Sequence, residues 1–104
     1  MALADLDESE REVVKECLHA AIEGPFFPDW EFQTLFGLER YKIKKILESW
    51  SEIDDSKKDV QAAISNCLDH LLGYPHGHHK EWPRCISVSS NEVLRILEKW
   101  RQNV

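Results

Sequence analysis

Between Leu6 and Ile22 the apolar residues Leu6, Val13, Val14, Cys17, Leu18, Ala21 and Ile22 recur three or four apart, which gathers them on one face of a helix. Asp7 with Glu10 forms a capping pair at its start, and Gly24-Pro25 ends it. The stretch PDWEFQTLFG predicts a short helix capped by Asp29 and stopped at Gly37. A third helix is expected over about 39–50, with Ile43, Ile46, Leu47 and Trp50 on one side. The polar connector SEIDDSKKD follows. A fourth helix is expected over about 57–72, burying Val60, Ile64, Cys67, Leu68, Leu71 and Leu72. A fifth, over about 90–102, opens with a Ser89/Glu92 capping box and a Val88–Val93 staple across it. No segment alternates apolar and polar residues as a half-buried strand does, although RCISV reads as one short extended piece.

The pattern also repeats. Shifted by fifty residues, IKKILESW (43–50) falls on VLRILEKW (93–100), Cys17-Leu18 on Cys67-Leu68, Pro25 on Pro75, Glu31 on Glu81 and Asp5 on Asp55. That makes nine identities in fifty-four ungapped pairs, where ordinary composition supplies roughly three. Apolar exchanges such as Val14/Ile64, Ile22/Leu72 and Ile43/Val93 point the same way. The expected fold is therefore all-α: a single helical domain over 1–104, built as a compact bundle of two duplicated helix-loop-helix units with a short extra helix in the first loop. One amphipathic hairpin cannot bury its face alone, and a second copy covers it.

Composition and charge narrow the function. With 104 residues and 42% hydrophobic content the chain suffices for one modest core. Its apolar runs are too short for a membrane span, and the acidic start MALADLDESERE lacks the basic and apolar regions of a signal peptide. Three cysteines without paired spacing fit reduced thiols. The expectation is a soluble cytoplasmic protein. The net charge of −6 is uneven: residues 1–33 carry nine acids against Arg11 and Lys15, while residues 34–50 carry a net of +2. Nucleic acid is a poor partner for such a chain, because phosphate affinity comes mostly from Lys and Arg. An acidic first third suits a basic protein partner better.

Candidate chemistry concentrates in the two loops, where the units diverge most. In GYPHGHHKEW, the residues His76, His78, His79 and Glu81 supply metal-ligating atoms, with Asp29, Glu31 or Cys85 as further donors. The spacing is not that of a helical His-x3-His or a Cys-x2-Cys site, and an exposed polar loop with His76 packed on Tyr74 or Trp82 explains the same residues. A histidine oriented by Asp29 or Glu31, or a Cys85 nucleophile beside Arg84, is the catalytic alternative. No phosphate-binding glycine loop, hydrolase elbow or dinucleotide fingerprint accompanies it. The first loop, GPFFPDWEF, is aromatic and acidic. Phe27, Phe32, Leu35 and Phe36 are expected to close the bundle, and Phe26 or Trp30 left exposed would be an interface anchor. Cys17 and Cys67 belong to the core.

GPFFPDWEFQTLFGL followed by LLGYPHG and a later tryptophan resembles a family of small, uncharacterised bacterial proteins of about this length. The resemblance runs from about Gly24 to Trp100 and implies a bacterial, cytoplasmic setting without implying an activity. The leading expectation is thus a non-enzymatic protein-binding module needing no cofactor, inhibitor- or immunity-like in its most concrete form. Its partner surface draws on Phe26, Asp29, Trp30, Glu31, Tyr74, His76 and Trp82. The rivals are a metal-binding or catalytic protein centred on the histidine loop and a homodimer joined through Trp50 and Trp100.

Overall fold

The computed structural model describes residues 2–102 and is all-helical; no strand occurs among them. A 3-10 turn at Leu3–Asp5 precedes α1 (Glu8–Glu23), α2 (Asp29–Phe36) and α3 (Arg40–Glu48). A second 3-10 turn at Trp50–Glu52 leads to α4 (Lys58–Gly73), α5 (Trp82–Cys85) and α6 (Ser90–Arg101).

Local chemistry explains most of these bounds. The Asp7 side chain accepts from the Glu10 backbone N–H while the Glu10 carboxylate accepts from the Asp7 N–H, both at 2.8 Å, so the capping box is complete. Gly37 ends α2 at φ 72°, a left-handed conformation that only glycine adopts at little cost. Asp29 is the first residue of α2, not its cap; Pro28 precedes the helix and Asp29 turns to Arg40 instead. Ser89 caps α6 through the Glu92 N–H, but the Glu92 carboxylate goes to Arg95, leaving that box half made. α3 stops at Glu48, short of Trp50. The Ser49 N–H still donates to the Lys45 carbonyl at 3.2 Å, shared with the Ser49 hydroxyl at 3.1 Å, and the chain then tightens into 3-10 bonds from Glu52 to Ser49 and from Ile53 to Trp50.

The second loop also holds a helix. Trp82–Cys85 closes one turn where an extended piece and loop were expected, and Pro83 fits because the first turn needs no N–H from it. Ile86, just after this turn, is extended at φ −130° and ψ 124°. α4 begins and ends fifty residues after α1, at Lys58 and Gly73, and α6 begins fifty after α3, at Ser90. The packing has the same regularity. α1 and α4 pair at the centre, α3 lies on α1 and α6 on α4, and each short helix crosses over, α2 onto α4 and α5 onto α1.

The core is one cluster holding the buried face of every helix. It contains Cys17 and Cys67, where burial pushes the Cys17 thiol up to about 12 and holds Cys67 well above the ordinary thiol range. Trp100 is fully buried and its Nε1–H donates to Ser65 Oγ at 2.9 Å. The expected patch of two equivalent tryptophans is therefore corrected: Trp100 is core, and only Trp50 is partly exposed. Glu10 is buried as well, 3% exposed. Lys99 Nζ at 2.7 Å and Arg95 Nη2 at 2.9 Å neutralise it, and those contacts with the Asp7 N–H hold its carboxyl below the usual range. A buried carboxylate needs such pairing, and here it ties α1 to α6.

Candidate binding surface

The two loops meet. Phe26, from the first, lies edge-on against His76 at 4.9 Å and Trp82 at 5.9 Å between ring centroids. Phe27 packs on Tyr74 at 5.6 Å, and the Tyr74 hydroxyl donates to the Glu31 carboxylate, which pushes the phenol up. Phe26 is 1% exposed and Trp82 is buried too, its indole N–H donating to the Val88 carbonyl at 2.8 Å. Both were candidate partner contacts; both are instead spent joining the loops, since two large rings bury far more apolar area against each other than either could keep from water alone.

The histidines are held in a similar way. The His78 backbone N–H can only donate, so His76 Nδ1, 2.9 Å away, accepts. The ring proton then sits on Nε2, which faces the Leu71 carbonyl at 3.2 Å. Both nitrogens of His76 are thus occupied, and burial, followed by the neighbouring His79 and His78, lowers its pKa despite the Leu71 bond. Gly77, at φ 71°, lets the chain turn tightly enough for this contact. His78 Nδ1 lies 3.5 Å from Glu81, and Asp29 and Glu31 pair with no histidine among the described residues. No group of three or more His, Cys, Asp or Glu side chains among the described residues is arranged to hold one metal ion. The proposed ligands His76, His78, His79 and Glu81 are neighbours in the chain without converging on a point.

Arg40 organises the first loop, a role the sequence reading missed. Its Nη1 donates to the Ala21 and Ile22 carbonyls at 3.0 and 2.7 Å, orphaned at the end of α1. Its Nη2 donates to the Phe27 carbonyl at 3.1 Å and to Asp29 Oδ1 at 2.8 Å. The guanidinium also stacks on Phe32, 4.2 Å from the ring centroid. One flat, five-donor group therefore fixes the helix end, the loop and the start of α2 together. The available signal was a lone arginine at the start of a helix opposite an acidic loop.

What remains exposed differs from what is packed. Trp30 is 78% exposed, between Asp29, whose side chain is almost fully exposed, and the half-buried Glu31. A separate open groove lies between α1 and α3, walled on the α3 side by Lys44, Leu47 and Glu48. Ile22 and Leu47 form its apolar floor, and Glu12, Glu16, Glu23 and Glu48 stand around it with Lys15, Lys44 and His19. Comparison of the chain with protein-family models, with curated proteins and with solved structures finds no match.

Proposed function

We propose that this chain is a non-enzymatic module that binds a basic partner protein, in the manner of an inhibitor or immunity protein, in a bacterial cytoplasm. The exposure of Trp30 beside two carboxylates carries this reading. Trp30 stands in water on the outer face of α2, whose Phe32 and Phe36 are buried, and an amphipathic ring framed by polar groups is a common interface anchor. The acid-rich outer face of α1, with Glu8, Glu12 and Glu23 exposed, would steer a basic partner towards it. The catalytic and metal alternatives have less support: the rings or carboxylates of His76 and Glu31 are engaged between the loops, Asp29 is held by Arg40, and no three donors among the described residues converge. The two hairpins are best read as copies of one ancestral unit. The shared bounds of α1 and α4, the shared start of α3 and α6, and the reciprocal crossing of the short helices support that reading. So does a pair of equivalent contacts: Asn66 donates to the Phe36 carbonyl at the end of α2, and Glu16 accepts from the Ser87 N–H and hydroxyl beyond α5.

Retention experiments test the binding reading. Immobilised wild-type chain should hold a protein from its own cell lysate at low salt and release it at high salt, and Trp30→Ala should fail to hold it. A retained set that is the same for both baits would contradict the assignment of Trp30.

A further inference from the structure

Fifty residues on, the counterpart of the groove between α1 and α3 is covered at one end and open at the other, where Leu72 and Leu94, the counterparts of Ile22 and Lys44, line a cleft. At the covered end, the last turn of α6 lies across the hairpin: Trp100 donates to Ser65, and Arg101 Nη2 reaches Asp69 Oδ1 at 3.6 Å. Ser65 corresponds to Lys15 and Asp69 to His19, and both Lys15 and His19 line the open groove. Trp100 and Arg101 correspond to Trp50 and Ser51, but α3 ends at Glu48 and those two residues leave the helix in a 3-10 turn. Trp50 packs against the core, but neither residue makes a side-chain hydrogen bond or ion pair to α1 among the described residues. Leu97 is buried, whereas its counterpart Leu47 is left partly exposed on the groove floor. The first hairpin therefore lacks the aromatic and cationic cover that the second provides for itself.

Resting on the reading of the chain as a binder of a basic protein, we propose that this groove receives a helix of that partner which presents an aromatic side chain next to an arginine or lysine. The internal template gives the aromatic–cation pair. The charge gives the sign: four carboxylates stand around the groove against two lysines, and Glu12, Glu23 and Glu48 are exposed to meet a cation while Ile22 and Leu47 take the ring. Of the four, Glu16 is already engaged by Ser87, so the outer three carry the recognition.

The test uses the full chain, labelled with nitrogen-15, and a synthetic lysine- and alanine-built helical peptide carrying one Trp-Arg pair. Addition should shift the amide signals of Ile22, Glu23, Lys44 and Leu47. Replacing the peptide's tryptophan by alanine should weaken binding about tenfold, as should the surface variant Glu12→Lys/Glu48→Lys, whose dispersed spectrum would show that it folds. Shifts centred on the Trp30 region instead, equal binding of the alanine peptide, or no binding at millimolar peptide would each overturn the groove assignment. If Trp30→Ala still abolishes partner retention in that case, the binding reading stands without the groove. If retention is also unaffected, both fail.

Discussion

At the scale of single residues, exposure separates aromatics that the sequence lists side by side. GPFFPDWEF does not say which ring faces water, because its spacing is that of a loop entering a short helix and not of one continuous face. Packing decides: Phe26 meets His76 and Trp82, and Trp30 meets solvent. Phe26→Ala should therefore cost about 3–5 kcal/mol in the unfolding free energy, while Trp30→Ala should stay within about 0.5 kcal/mol, read from denaturant midpoints at unchanged slope. Arg40 makes a sharper case. Arg40→Ala should cost about 2 kcal/mol, and Arg40→Lys should recover less than half of it, because a point charge cannot serve three carbonyls and a carboxylate at once. Full recovery by lysine would show that charge alone matters there. For His76 the sign follows from burial. Its folded pKa lies below the ordinary 6.5, so the unfolded chain takes up the proton more readily and stability falls as pH drops below about 6.5. Protonation at Nδ1 also breaks the bond from the His78 N–H. Melting temperature should decline from pH 7 to pH 5, above the range where Glu10 begins to lose its pairing, and His76→Asn should flatten that decline. A slope unchanged in the variant would place the titration elsewhere.

At the scale of elements, periodicity and capping chemistry were enough for five helices, because each long helix has one apolar stripe and a recognisable stop. The sixth was hidden. Trp82–Cys85 is a single turn, too short for periodicity, and its Trp-Pro start reads equally well as a loop. The extra length given to α3 has a similar cause. Trp50 continues the apolar stripe in sequence, but after Ser49 the backbone bonds tighten from four-residue to three-residue spacing, with Glu52 and Ile53 donating to Ser49 and Trp50. Loop convergence was not legible at all, since it depends on how α2 and α5 cross onto the opposite central helices. The helix stops offer a clean comparison. A Cβ at Gly37 meets nothing within 4 Å, but its φ of +72° is unfavourable to any side chain, so Gly37→Ala should cost about 1 kcal/mol from backbone conformation alone. Gly73 has equal space and an ordinary helical backbone, so Gly73→Ala should be neutral or stabilising. Equal losses at both sites, measured by thermal unfolding, would contradict the distinction.

At the scale of the whole molecule, two similar hairpins share one core and differ at their surfaces. Identities such as Cys17/Cys67 and Leu18/Leu68 lie where α1 and α4 face each other, so the regularity legible in the sequence is mainly that of the core. The site was only partly legible. Trp30, Asp29 and the acidic α1 face were visible as composition, but the groove arises from the different ends of α3 and α6, and no residue type announces that. Charge is the property by which the whole chain would choose its partner: the formal net charge is −6, concentrated on the first helix and loop. The most direct test is the affinity for the retained partner across a salt series, beside that of the Glu12→Lys/Glu48→Lys variant. The account predicts that wild-type affinity falls steadily as salt rises, chiefly through slower association, and that the variant binds more weakly with a shallower salt dependence. An affinity indifferent to salt, or a variant that matches wild type throughout, would contradict it.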